Sequence, residues 1–184
     1  MIHRLRQETK ELHEQIESKN PAAAILDHSI SLEAYRHLLL QNYVAYRTME
    51  KEINRFFPEY TGLKHLQLKK DLERLDISPE MVEYSENFHI NSFAEALGAA
   101  YVVEGSAMGG MVIARHLKHC SLEGVGESHF FSGNRDAVDN WNDFKSRLEG
   151  ITLTPEEEEQ AVHTAKETFL FFEKVFDTQF SVPV

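Results

Sequence analysis

Apolar residues in this chain recur every three or four positions along almost its whole length, and no stretch alternates convincingly with the two-residue period of a half-buried strand. That pattern restricts the fold to helices packed on helices. Ile2, Leu5, Thr9, Leu12 and Ile16 define an amphipathic helix over residues 2–18, which Pro21 and the short residues after it separate from the next element. Ser31 is placed to cap a longer helix with Glu33 in its first turn; its stripe runs from Leu32 and Tyr35 through Tyr43 and Tyr46 to Met49 and Ile53, and Pro58 stops it. Leu63, Leu66, Leu72 and Leu75 mark a shorter helix ending before Pro79. Ser92, with Glu95 three residues on, opens a fourth major helix by a capping box and carries it to about Lys118, where His116, Lys118 and His119 suit the negative end of the helix dipole. Residues 120–133 contain three glycines and read as a loop. Trp141, Phe144 and Leu148 face the core from a further helix that Gly150 ends. Thr154 as N-cap, Pro155 at N1 and Glu157 open the last helix, whose stripe is Ala161, Ala165, Phe169, Phe172 and Phe176. The expected fold is all-α, a compact bundle of six to eight helices, with residues 1–184 forming one domain.

Composition narrows the function. A chain of 184 residues, 42% of them hydrophobic, favours one domain and can bury roughly two-thirds of its unfolded surface. Its 30 acidic residues outnumber 19 Lys and Arg, giving a net charge of -11. That balance argues against a nucleic-acid binder, which needs a basic face, and against a membrane-surface protein. No apolar run is expected to reach the roughly 20 residues that span a bilayer. The N-terminal MIHRLRQETK lacks the apolar core of a signal peptide. The single cysteine, Cys120, excludes an internal disulfide and suits a reducing compartment, so the expected location is cytoplasmic.

Two segments depart from ordinary helix design. In YVVEGSAMGGMVIARHL, Gly105, Gly109 and Gly110 lie inside a strongly helical pattern. Together they forgo roughly 2–3 kcal/mol of helix propensity, so something must compensate. Gly105 and Gly109 are one turn apart and bare one face, which allows close approach of a partner helix or of a flat ligand. The first helix carries His13 beside its apolar stripe, with Glu17 one turn on and able to hold one ring nitrogen. Arg6 lies two turns before His13 and Lys10 one turn before, cations able to meet a ligand's carboxylates, or else a solvated helix face.

LRQETKELHEQIES, followed about ninety residues later by YVVEGSAMGGMVIARHL, resembles the haem oxygenase family, and its bacterial, biliverdin-producing branch more than the animal enzymes. HFFSGNRDAVDNWNDFKSRL, an aromatic-Gly loop leading into a W-x-x-F helix, and ITLTPEEEEQAVHTAKETF fit the same family in order and spacing. The resemblance implies haem held between a proximal and a distal helix. His13 would be the iron ligand, with Glu17 supporting its other nitrogen. Gly105, Gly109 and Gly110 would belong to the distal helix, where side chains would collide with the macrocycle or block dioxygen. Arg6 and Lys10, with Lys145 and Arg147 from the W-x-x-F helix, would form a cationic rim for the propionates. Met108, Met111 and Tyr101 are further candidates near the haem. The implied reaction opens haem, substrate and cofactor at once, to biliverdin, carbon monoxide and ferrous iron, with dioxygen and an electron donor such as a ferredoxin or flavin reductase. Where the animal enzymes have Asp after the first distal Gly, this chain has Ser106, a hydroxyl able to hold water but not to supply charge.

Two other classes compete. A haem-binding or haem-sensing protein of the same fold, without turnover, would keep His13 and the glycines. A metal enzyme would draw on His116, His119 and Cys120, but no carboxylate partner accompanies them, and the repeated Glu and His of a diiron helix bundle are missing.

Overall fold

A computed structural model describes residues 1–19, 21–60, 62–133 and 135–181; Asn134, within the aromatic-Gly stretch, lies outside them. Among the described residues there are nine α-helices, one 3-10 turn at Pro79–Met81 and no strand. The helices are α1 (Ile2–Glu8), α2 (Lys10–Lys19), α3 (Ala23–Leu26), α4 (Leu32–Phe56), α5 (Lys64–Glu73), α6 (Phe93–Gly105), α7 (Ala107–Leu117), α8 (Arg135–Gly150) and α9 (Pro155–Asp177). The all-α expectation holds, with more helices than foreseen because two long ones are interrupted.

The starts of the helices follow their sequence signals. Ser31 Oγ accepts from the Ala34 N–H at 3.1 Å. Thr154 and Glu157 complete both halves of a capping box. At α6 only half a box forms: Ser92 Oγ accepts from the Glu95 N–H, while the Glu95 carboxylate takes the Asn91 N–H at 2.7 Å. α5 begins at Leu63, which has no capping side chain, and borrows one. The fully buried Glu50 of α4 accepts from the Lys64 N–H at 2.9 Å, from the His65 N–H at 3.2 Å and from the His65 ring. A carboxylate at a helix N-terminus satisfies otherwise unpaired donors and suits the dipole.

Both interruptions fall on a hydroxyl residue. Thr9 Oγ1 donates to Leu5 O at 2.8 Å between α1 and α2, and Ser106 Oγ donates to Val103 O at 2.7 Å between α6 and α7. Such back-bonding competes with the backbone ladder and bends helices. At Thr9 the disturbance is slight, since Thr9 O still accepts from the His13 N–H at 2.9 Å.

α6 is the centre. It packs against α9, α4 and α8, and its residues from Ala96 to Ala100 are all buried. The close contact is at Gly98, where an added Cβ would lie 2.0 Å from the carbonyl oxygen of Ala161. By length and composition the run Phe93–Leu117 is apolar enough to cross a membrane, which corrects the expectation that no segment approaches this. Within the fold, its α6 half is the buried centre of the bundle.

Gly98→Ala should therefore cost about 2–3 kcal/mol, because the helix backbones themselves must separate; a fall in the urea midpoint measures it, and an unchanged midpoint contradicts the contact. Burial pushes the Tyr35 hydroxyl up to about 12 and raises Tyr46 and Tyr60 as well. Unfolded tyrosines ionise near 10, so these phenols contribute stability that is intact below that pH and lost above it. Urea unfolding from pH 9 to 11.5 should show the decline, and Tyr35→Phe should reduce its slope.

Candidate functional site

The two unusual segments meet at one junction. Tyr101 of α6 reaches Thr9, at the α1–α2 break, through its hydroxyl and lies 5.7 Å ring to ring from Trp141 of α8. Burial holds this phenol above its ordinary range, partly offset by the Thr9 contact and by the charge of Arg6. Gly105, one turn after Tyr101, faces the same indole, so that an added Cβ would lie 3.8 Å from it. His13 follows Thr9 by one turn, and Gly109 follows Gly105 by one turn. Beyond the junction α2 packs on α9, whereas α7 packs on α3 and α8. α2 and α7 are not among the closely packed helix pairs of the described residues.

The His13 side chain is 54% exposed. Its Nδ1 lies 3.6 Å from Glu17 Oε2, and its ring meets that of Phe169 edge-on at 5.8 Å. With Nδ1 turned to the carboxylate, Nε2 is the nitrogen directed away from Glu17. On the other arm, α7 is apolar for most of its length, yet only Ala107 and Ala114 are buried. Met108 is 54% and Val112 46% exposed. A Cβ added at Gly109 or Gly110 would meet nothing within 4 Å. Packing of one helix on another accounts for Gly98 and leaves these two glycines unexplained. They open an apolar helix face that the protein itself does not cover.

The four predicted cations are placed unequally. Arg6 acts on Tyr101 at the junction. Lys145 Nζ sits 5.4 Å over the Trp141 ring. Lys10 pairs with Glu14 at 3.8 Å on an exposed face. Arg147 is exposed on α8 and forms no ion pair among the described residues.

Sequence reasoning missed a buried polar cluster behind the α6–α7 break. Tyr60 donates to Glu104 Oε1 at 2.7 Å, and Lys64 Nζ lies 3.0 Å from the same oxygen. The Tyr46 hydroxyl faces Ser106. One signal was present: Glu104 is the single charged residue between Ala96 and Ala114. Its carboxylate is committed to Tyr60 and Lys64, so the charge that Ser106 lacks is not supplied by its neighbour.

The histidines at the end of α7 form a cluster of their own. His28 Nε2 lies 3.1 Å from His116 Nδ1, and the His28 and His119 rings are 5.5 Å apart. The Cys120 thiol instead donates to the carbonyls of His116 and Ile25. No group of three or more His, Cys, Asp or Glu among the described residues is arranged to hold a metal ion.

An imidazole with its carboxylate on one arm and an open glycine-bearing apolar face on the other define an all-helical cradle for a flat apolar ligand with a metal at its centre. The family model described as heme oxygenase matches residues 1–178, and the chain belongs to that family. Heme oxygenase PigA of Pseudomonas aeruginosa is 32% identical over 91 residues; the match spans 49% of this chain and 46% of that relative, about half its length. The fold is that of the NO- and CO-bound heme oxygenase of Neisseria meningitidis, with a TM-score of 0.75, 23% identity, and coverage of 95% of this chain and 88% of that one.

Because Gly109 and Gly110 face open space, Gly109→Ala should stabilise the ligand-free chain by about 0.5–1 kcal/mol through helix propensity. A rise in the urea midpoint, opposite in sign to Gly98→Ala, is the expected result; a fall would mean that α7 is packed after all.

Proposed function

We propose that this chain is a haem oxygenase that binds haem between α2 and α7 and opens it oxidatively to biliverdin. The observation that carries this reading is α7, an apolar helix left uncovered where two glycines replace side chains. The residues on the page fit haem: a half-exposed imidazole backed by a carboxylate for the iron, and a bare strip for the opposite face of the ring. Bound haem supplies the iron and is itself the molecule cleaved, with dioxygen and external electrons, to biliverdin, carbon monoxide and ferrous iron.

The chain's own residues do the rest. His13 ligates through Nε2, while Glu17 holds Nδ1, fixing the ring's orientation and strengthening it as a donor. Gly105, Gly109 and Gly110 let the ring lie against the α7 backbone and leave room beside the iron. Ser106 already donates its proton to Val103 O, so its oxygen is free to accept from the Tyr46 hydroxyl or from water. It can thus anchor water on the distal side without a charge. Arg6 and Lys145 stand at the junction where the two arms meet, and Lys10 and Arg147 lie further out on α2 and α8. All four are assigned to the carboxylate edge of the ligand, and an acidic donor protein of the ferredoxin kind would dock there; a flavin reductase is the other donor class. The whole chain, 1–184, works as one unit in the cytoplasm, consistent with its single free thiol. Storage or sensing of haem on the same fold is less well supported, because the family is one of enzymes.

Haemin titration tests the assignment. Wild type should give a Soret band that His13→Ala abolishes, and Glu17→Gln should weaken binding by about tenfold or more. Adding reductant in air should then produce biliverdin. A band that persists in His13→Ala moves the iron ligand elsewhere, and a stable haem spectrum under these conditions favours the binding protein.

A further inference from the structure

The break at Ser106 frees a carbonyl. In an unbroken helix Val103 O would accept from the Ala107 N–H, but α6 ends at Gly105 and α7 starts at Ala107. Two side chains take that oxygen instead. One is Ser106 Oγ at 2.7 Å, and the other is Lys64 Nζ, also at 2.7 Å, from the first residue of α5. The Lys64 side chain is only 13% exposed, and its partner Glu104 only 9%. Its ammonium has three oriented neighbours: the Val103 carbonyl, Glu104 Oε1 at 3.0 Å and the Tyr46 ring at 5.9 Å. The backbone N–H of Lys64 is tied to Glu50, so both ends of the residue are fixed. Removing an ammonium and a carboxylate from water is costly, and apolar residues would cover this surface at lower cost. What apolar residues cannot do is hold a carbonyl that the helix has released. A side chain inserted into the ladder is one of the recognised causes of a sharp helix break.

We infer that Lys64 is a positioning residue, which by gripping the Val103 carbonyl holds the α6–α7 break and so sets the direction in which α7 carries Gly109 and Gly110 past the ligand. This rests on the reading that α7 lines the haem site. Lys64 does not touch the ligand in this account; it acts through the backbone of residues 103–107. Ser106 contributes the second grip, but it moves with the helix, whereas Lys64 is anchored on a different element. Only Lys64 can therefore fix the break relative to the rest of the bundle.

Hydrogen exchange on the full ligand-free chain reads the effect without any turnover. Lys64→Met should speed exchange of the amides of residues 106–110 by about fivefold, the equivalent of one net hydrogen bond, while α9 is unchanged. Lys64→Met with Glu104→Gln removes the unpaired buried charge as well, which guards against simple misfolding, and should leave exchange at 106–110 raised. Lys64→Arg keeps a charged donor and should restore most of the protection. In parallel, haemin affinity should fall in Lys64→Met and in the double variant and recover in Lys64→Arg. Unchanged exchange in Lys64→Met, or recovery in the double variant, overturns the proposal, because the effect would then be absent or due only to a lost countercharge. If wild type itself shows no His13-dependent haemin binding, the haem reading fails, while the exchange result still reports separately on whether Lys64 holds the break.

Discussion

The site depends on where α6 lies, and α6 lies where it does because the backbone at Gly98 comes against the Ala161 carbonyl of α9. Any side chain at residue 98 would push the two central helices apart. With that contact made, α6 is buried by α9, α4 and α8, and its end at Gly105 falls beside Trp141. Tyr101 then ties the same end to Thr9. The α2 and α7 arms start from this single fixed point, so the spacing between His13 and the glycines is inherited from a contact well away from both.

Glycine therefore has two opposite uses in one continuous apolar run. At Gly98 the missing side chain is filled by another backbone, and at Gly109 and Gly110 it is filled by nothing in the protein. The sequence pattern does not distinguish these, since a small-residue strip reads the same whichever body approaches it. The helical period, the caps at Ser31 and Thr154 and the His13–Glu17 pairing were all legible, because each depends on residues within one or two turns. The interruptions at Thr9 and Ser106 were not, because a hydroxyl within a helix usually leaves it intact. The role of Lys64 was hidden for a stronger reason: its partners Val103 and Glu104 are some forty residues away, and only the packing of α5 brings them together.

The polar groups of the interior follow one rule: each serves a backbone that has lost its regular partners. Glu50 caps the first turn of α5, which has no side-chain cap of its own. Asp71 accepts from Ser128 Oγ and from the N–H groups of His129 and Phe130, holding the glycine-rich loop before α8. Lys64 takes the carbonyl released at Ser106. A bundle built of uninterrupted helices would need none of these, since its backbone would satisfy itself.

Charge shows the same economy on the surface. The net charge of -11 is unfavourable for a dianionic ligand, and several cations are already committed to carboxylates. Arg4 pairs with Glu158 and Glu159, Lys166 with Glu8, and Lys174 with Glu86. These pairs tie α1 and the extended segment before α6 to α9; being exposed, each adds little stability. Around the α1–α2 junction the arrangement differs: Arg6 influences a buried phenol and Lys145 stacks on an indole, neither held by a carboxylate in an ion pair among the described residues. A cation resting on an aromatic face can turn to an incoming carboxylate without breaking an ion pair first. The acidic surplus thus repels anions from most of the molecule and leaves the junction as the place where a carboxylate meets the least opposition.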